Sequence, residues 1–278
     1  MDYIRLTLSL QDDLHEYLIA ELHDMDFEGF EQEDDILIAT IPSNRYDDTK
    51  REELEKRMFA LGGSSAILNE EIITPQNWNE EWERTIKPQV IGRFFVHPTW
   101  SAFEEKHQDK IELLIDPKMA FGTGYHATTR VILEWLPEVI NLGDKVLDAG
   151  TGTGILGIAA LKLGAESAFG FDIDEWSEIN ARENILLNKV ENFEVKIGST
   201  EVIPPEEKYD IILANINRNA LIELVPELIN HLKKDGLLLL SGLLKEDEDS
   251  ILQIPSLSDF KHIETRSHLE WIAVLFES

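Results

Sequence analysis

Lys145 to Gly157 reads KVLDAGTGTGILG. A short apolar run, Val146-Leu147, ends in Asp148, and glycines follow at alternate positions 150, 152 and 154. Ile155, Leu156, Ile158, Ala159, Ala160 and Leu161 then recur at helical spacing. The stretch reads as a strand, a tight glycine turn and a helix. Alternate glycines remove side chains where the backbone must pass close to a ligand. A helix starting there offers unpaired N–H groups and a partial positive charge. Together these predict a small-molecule pocket for a ligand with an anionic end.

Strand and helix patterns alternate regularly from this point on. Strands are expected at Lys145–Asp148, Ser167–Ile173, Phe193–Ile197, Tyr209–Ile216 and Gly236–Leu243, with helices over about 154–164, 175–188, 218–233 and 245–253. Such alternation predicts a doubly wound α/β fold, a parallel sheet covered on both faces. Phe260 to Thr265 and Leu269 to Phe276 read as a closing antiparallel hairpin. There is no internal repeat and no low-complexity tract.

Upstream, the loop Asp116 to Arg130 carries two glycines, three threonines and His126 into a helix over Val131–Leu136. Thr128 or Thr129 would cap that helix, or the loop folds over a ligand that the hydroxyls touch. Phe121 and Gly122 belong to the same candidate wall. His126 has no second histidine or acid at metal spacing, so it reads as a structural or ligand-adjacent residue, and no metal is expected. Phe94-Phe95-Val96 and Ile111 to Ile115 read as strands around a polar loop, Ser101 to Asp109.

Residues 1–75 read as a separate small α+β unit, 76–92 as a connector and 93–278 as the main domain. Tyr3-Ile4-Arg5-Leu6-Thr7-Leu8 alternates like a half-buried strand. A helix capped by Asp12 or Asp13 follows to about Met25. Strands come next at Phe27–Glu31 and Ile36–Ile41, then a helix over Asp47–Leu61 ended by Gly62-Gly63, then a strand over Ala66–Ile73. The order βαββαβ is the ferredoxin-like pattern. This unit holds 19 acidic residues against 6 basic ones and has no glycine loop, so it reads as a recognition or scaffold unit. In the connector, Trp78 and Trp82 are four apart and share a helix face. They anchor that helix on a domain, or form a hinge or substrate-facing pair.

The chain has 278 residues, 43% hydrophobic and 28% charged, room for two domains with a sizeable core. It has no cysteine, so no disulfide, thiolate metal site or cysteine nucleophile is expected. No apolar run reaches the roughly 18 residues of a membrane span, and MDYIRLTLSL has no basic start or long apolar stretch, so a cytoplasmic protein is expected. The net charge of −29 opposes a nucleic-acid partner and favours a basic one, or simply solubility.

Gly152 to Gly157 is also a literal GxGxxG, and Asp172 lies 20 residues after Gly152, where an acid meets ribose hydroxyls. An NAD(P)-dependent or flavin oxidoreductase is therefore a competing reading. Two features pull away from it. Asp148 stands two residues before the first glycine, suited to a ligand amino group or to bracing the turn. Asn215-Ile216-Asn217 ends a later strand, where an amide meets a substrate nitrogen. At this point the sequence resembles a class I S-adenosylmethionine methyltransferase.

DPKMAFGTGYHATT, VLDAGTGTGILGIAALKLGA, GFDID and ANI, in that order and spacing, resemble one family closely. It is the bacterial methyltransferase family that modifies large-subunit ribosomal protein eleven. The resemblance covers the whole chain. It implies S-adenosylmethionine as donor, S-adenosylhomocysteine as product, and methylation of lysine ε-amines and the N-terminal α-amine of that basic ribosomal protein. It further implies recognition of the protein by the N-terminal domain. Carried over by motif, the cofactor contacts are Thr129, Gly150, Asp172 and Asn215, with Asp148, Gly152, Phe121 and Gly122 beside them. Asp172 would accept both ribose hydroxyls, or else cap the helix at 175, and N–H groups after Gly150 would serve the methionine carboxylate. Asn215 would orient the amine. Two departures bear on the loop: glycine is expected where Lys118 stands, and proline where Ala127 stands. The remaining alternatives are a methyltransferase acting on another protein, a nucleic acid or a small molecule, and a non-enzymatic adapter with a vestigial pocket.

Overall fold

The computed structural model describes residues 2–61, 66–73, 86–101, 107–118 and 120–278. Trp78, Trp82 and the Gly62-Gly63 stop lie outside the described residues. The chain divides into two compact units, Met1–Trp78 and Asn79–Ser278.

The first unit runs β1 (Tyr3–Ser9), α1 (His15–Asp24), β2 (Gly29–Glu33), β3 (Ile36–Pro42), α2 (Asp48–Leu61) and β4 (Ala66–Ile73). Ile4, Leu6 and Leu8 alternate inward from β1 and pack with Leu18 and Leu22 of α1 and Leu54 and Met58 of α2. The sheet order is β2-β3-β1-β4, antiparallel throughout. Asp12 and Asp13 form a short 3-10 turn ahead of α1 and do not cap it. Asp47 does cap α2, accepting from the Lys50 N–H at 2.9 Å.

The second unit opens with a small sheet of β5 (Gln89–Ile91), β6 (Phe94–His97) and β7 (Ile111–Leu114). β5 falls in the stretch read as connector. α3 (Ala127–Val139) leads into β8 (Lys145–Ala149), α4 (Ile155–Leu163), β9 (Ser167–Asp172), α5 (Glu175–Asn188) and β10 (Phe193–Ile197). Then come β11 (Tyr209–Asn215), α6 (Arg218–Leu228), β12 (Leu232–Leu244), α7 (Glu248–Leu252), β13 (Lys261–His268) and β14 (Trp271–Glu277). The main sheet has the order β10-β9-β8-β11-β12-β14-β13. Its first five strands are parallel, and β14 inserts antiparallel between β12 and β13.

Successive strand residues feed two cores, as a doubly covered sheet requires. Ile211 and Leu213 of β11 join the core that holds Val131, Ile132 and Trp135 of α3. Ile212 and Ala214 join the opposite core, with Leu221 and Val225 of α6.

One boundary that differs from the sequence reading lies between α6 and β12. The helix expected to reach 233 ends at Leu228, a 3-10 turn spans Ile229–His231, and β12 already begins at Leu232. The cause is an interruption in strand pairing. Leu232 pairs with Tyr209, the register then shifts, and Asp235 sits at φ 60°. Lys233 is tied to the Asp210 carboxylate at 2.8 Å. Four polar or glycine residues thus hide a strand start.

Candidate active site

β8 lies between β9 and β11, so the connections leaving β8 and β11 diverge and open a crevice at the carboxyl ends of the strands. A cavity of about 440 Å³ lies there. Gly150 and Gly152, from the turn after β8, form part of its wall. Asp172 comes from the end of β9, and Asn215 and Ile216 from the end of β11. Phe121, His126, Thr128 and Trp271 also line it. Five of the eight candidate cofactor contacts therefore meet here: Phe121, Gly150, Gly152, Asp172 and Asn215. Thr129, Asp148 and Gly122 are not on the wall.

Gly150, Gly152 and Gly154 have φ of 71°, 54° and 80°, the left-handed region that side chains resist. A methyl group on Gly152 would strike the Phe121 carbonyl oxygen, and one on Gly150 the Ile216 side chain. The glycines thus admit neighbouring chain segments. The turn's N–H groups are also engaged internally. Gly150 and Thr151 donate to the Phe171 carbonyl at 2.9 and 3.0 Å, Thr153 to the Phe121 carbonyl at 2.8 Å, and Gly154 to the Thr151 carbonyl at 2.8 Å. The N–H groups of residues 150, 151, 153 and 154 thus fold the turn.

Gly152 N–H donates to Asp172 Oδ2 at 2.9 Å, and Asp174 N–H to Asp172 Oδ1 at 3.0 Å. Each carboxylate oxygen keeps a further acceptor position. Asp172 does not cap the following helix, because Asp174 does so through Trp176 N–H.

Asp148 is buried and braces the turn: its Oδ2 accepts from Thr151 Oγ1 at 2.8 Å and from Gly157 N–H at 3.1 Å. Burial pushes its carboxyl up to about 7, and the Asp172 charge adds to the rise, although both hydrogen bonds oppose it. Its Oδ1 has no partner.

Asn215 Nδ2 donates to Thr129 Oγ1 at 3.3 Å, while Asn215 Oδ1 is buried with no partner. Thr129, itself buried, thus orients the amide from behind the wall. Gly122 is likewise a backing residue, its carbonyl accepting from Thr153 Oγ1 at 2.6 Å. His126, not Thr128 or Thr129, is the N-cap of α3, and its Nδ1 lies 2.8 Å from the Thr128 hydroxyl. Its ring meets Phe121 and Trp271 edge-on, with centroids 5.2 and 4.7 Å away. Sequence reading did not find Trp271 or Ser199, also on the wall, since only the tertiary fold brings them there.

Both departures noted in the loop have a local reason. Lys118 sits at φ 41°, a conformation that suits glycine. Ala127 is the first residue of α3, where proline fits. Among the described residues no group of histidines and acids could hold a metal ion.

Five parallel strands closed by an antiparallel hairpin, with a glycine turn and acid at the switch point, define a class I methyltransferase fold. A ribosomal protein L11 methylase from Lactobacillus delbrueckii subsp. bulgaricus, solved by crystallography, superposes with a TM-score of 0.63 at 29% identity, covering 69% of this chain and 98% of that one. The family described as Ribosomal protein L11 methyltransferase (PrmA) matches residues 7–278. Proteins named ribosomal protein L11 methyltransferase from Chlorobaculum parvum and Porphyromonas gingivalis are 35% and 37% identical. The first match covers 99% of this chain and 96% of the relative, the second 98% and 92%. The chain belongs to the ribosomal protein L11 methyltransferase family.

Proposed function

We propose that this protein transfers methyl groups from S-adenosylmethionine to amines of ribosomal protein L11, lysine ε-amines and the N-terminal α-amine. The observation that carries this reading is Asn215 Oδ1, a buried acceptor without a partner in a residue of the cavity wall. Unpartnered buried acceptors are costly, so they mark places where a donor is expected. An amine N–H is such a donor. Asp172 offers two adjacent acceptor oxygens, which suits the vicinal hydroxyls of a ribose. The donor supplies a methyl group already activated on a sulfonium, so this chain has mainly to bind and orient.

The accepting amine must be neutral, whereas a free lysine has a pKa near 10.4. The wall answers this with apolar surface: Phe121, Phe171, Ile216, Leu224 and Trp271 favour the uncharged form. Asn215 Oδ1 accepts one amine N–H and so fixes where the nitrogen lone pair points, catalysis by orientation. Thr129 holds the amide in that setting. No side chain is assigned as general base, and water takes the proton. Ile216 and Asn217 stand where other amine methyltransferases carry two stiff prolines, and Arg218 where they carry a tyrosine, which suits repeated methylation of one nitrogen. The acidic first unit suits recognition of a basic protein.

Calorimetric titration with S-adenosylmethionine and separately with NAD tests the donor. Saturable binding of the first and none of the second is expected. The reverse would replace this reading with an oxidoreductase.

A further inference from the structure

Three asparagines of α5, Asn180, Asn184 and Asn188, are spaced by four residues and buried on one face. They face the chain at the end of β7. Asn188 Oδ1 accepts from Leu114 N–H at 3.0 Å, and its Nδ2 donates to the Leu114 carbonyl at 2.6 Å. Asn184 Oδ1 accepts from Asp116 N–H at 3.0 Å, and Asn180 Nδ2 donates to the Asp116 carbonyl at 2.7 Å. Four helical residues rise about 6 Å, and two strand residues advance about 6.6 Å. The helix therefore presents side-chain amides in step with alternate backbone groups of the strand. β7 is an edge strand of its sheet, and the asparagines pair it as a neighbouring strand would.

Asn184 does more than its two neighbours. Its Nδ2 also donates to the Thr153 carbonyl at 2.9 Å, inside the glycine turn. Thr153 in turn holds the loop that follows Asp116: its N–H donates to the Phe121 carbonyl at 2.8 Å and its Oγ1 to the Gly122 carbonyl at 2.6 Å. One buried amide thus spans the root of the loop and the turn beneath it. Phe121, from that loop, and Gly152, from that turn, are both on the cavity wall.

We propose that Asn184 is a positioning residue for the methyl donor, latching the chain at Asp116 to the glycine turn so that Phe121 and Gly152 keep their places on the wall. The role in donor binding rests on reading the cavity as the donor site. Asn188 is the internal control, since it makes the same kind of strand rung and does not touch the turn.

The test compares Asn184→Ala, Asn184→Asp and Asn188→Ala in the full chain. Hydrogen exchange at the Thr153 amide reads the latch with no donor present. Exchange there should quicken in both Asn184 variants relative to Asn188→Ala. Asn184→Asp retains an acceptor for Asp116 N–H and sets an oxygen against the Thr153 carbonyl, so Asp116 should stay protected in it. Calorimetry with S-adenosylhomocysteine should then show affinity reduced about tenfold, the worth of one buried hydrogen bond, in the Asn184 variants and unchanged in Asn188→Ala. Thermal midpoints should fall in both alanine variants. Unchanged Thr153 exchange in the Asn184 variants, or equal effects of Asn188→Ala on exchange and affinity, would overturn the proposal. Failure of the wild type to bind the ligand would instead remove the donor reading, while the exchange arm still decides the latch.

Discussion

Asp148 and Asp172 are two carboxylates on the two sides of one glycine turn, and burial separates their roles. Asp148, sealed under the turn, holds its proton up to about 7 against an ordinary value of 3.8. Between those values the folded protein keeps a proton that the unfolded chain has released. Stability is therefore fully present below about 4, falls as pH rises towards about 7, and is level above. Asp148→Asn should flatten that decline in denaturant titrations run across the range, and an unchanged slope would remove Asp148 as its source. Asp172, on the cavity wall, has acceptor positions to spare. Asp172→Ala should weaken donor binding by about 1.5–3 kcal/mol, since its bonds involve a charged group. Calorimetry on the folded variant checks this, and wild-type affinity would take Asp172 out of the site. Asn215→Ala should lower kcat up to about a hundredfold through misplacement of the amine, with a smaller change in donor affinity. Steady-state kinetics beside calorimetry separate the two effects, and full activity would refute the orienting role.

At the scale of elements, the start of α3 shows how a sequence anomaly becomes a conformation. His126, the N-cap, already has φ −71° and ψ 138°, the region that a following proline requires. Ala127→Pro should therefore raise stability by about 0.4–1 kcal/mol by restricting the unfolded chain. Thermal melts measure this, and a fall would mean that the residue 127 N–H or its packing matters more. The strand, turn and helix of 145–163 were legible because apolar periodicity and glycine spacing are local signals. The register shift around Asp235 was not, because Lys-Lys-Asp-Gly looks like a loop and only pairing with Tyr209 makes Leu232 a strand residue. The asparagine rungs on α5 were also hidden, since polar residues at helical spacing read as a solvated face until β7 is laid beside them. Motif position alone points to Thr129. Its contact turned out to be Asn215, and the wall position fell to Thr128.

For the whole molecule, the proposed division of labour follows charge and topology. The second unit carries the described cavity at the switch point of its sheet. The sequence of the first unit holds 19 acidic residues against 6 basic ones, the ground for proposing that it receives a basic partner. Deleting residues 1–75 should leave a domain that binds donor and no longer methylates its protein, while normal transfer would mean that recognition lies elsewhere. Added salt should lower kcat/KM for the protein substrate more than donor affinity, because exposed charges are screened beyond about 8 Å at physiological ionic strength. The most direct test is incubation of the purified protein with labelled S-adenosylmethionine and ribosomal protein L11, followed by mass spectrometry of the products. Methyl groups are expected on lysine side chains and the N-terminal amine of L11. Donor binding with no label on any L11 amine, or label only on nucleic acid or small molecules, would contradict it.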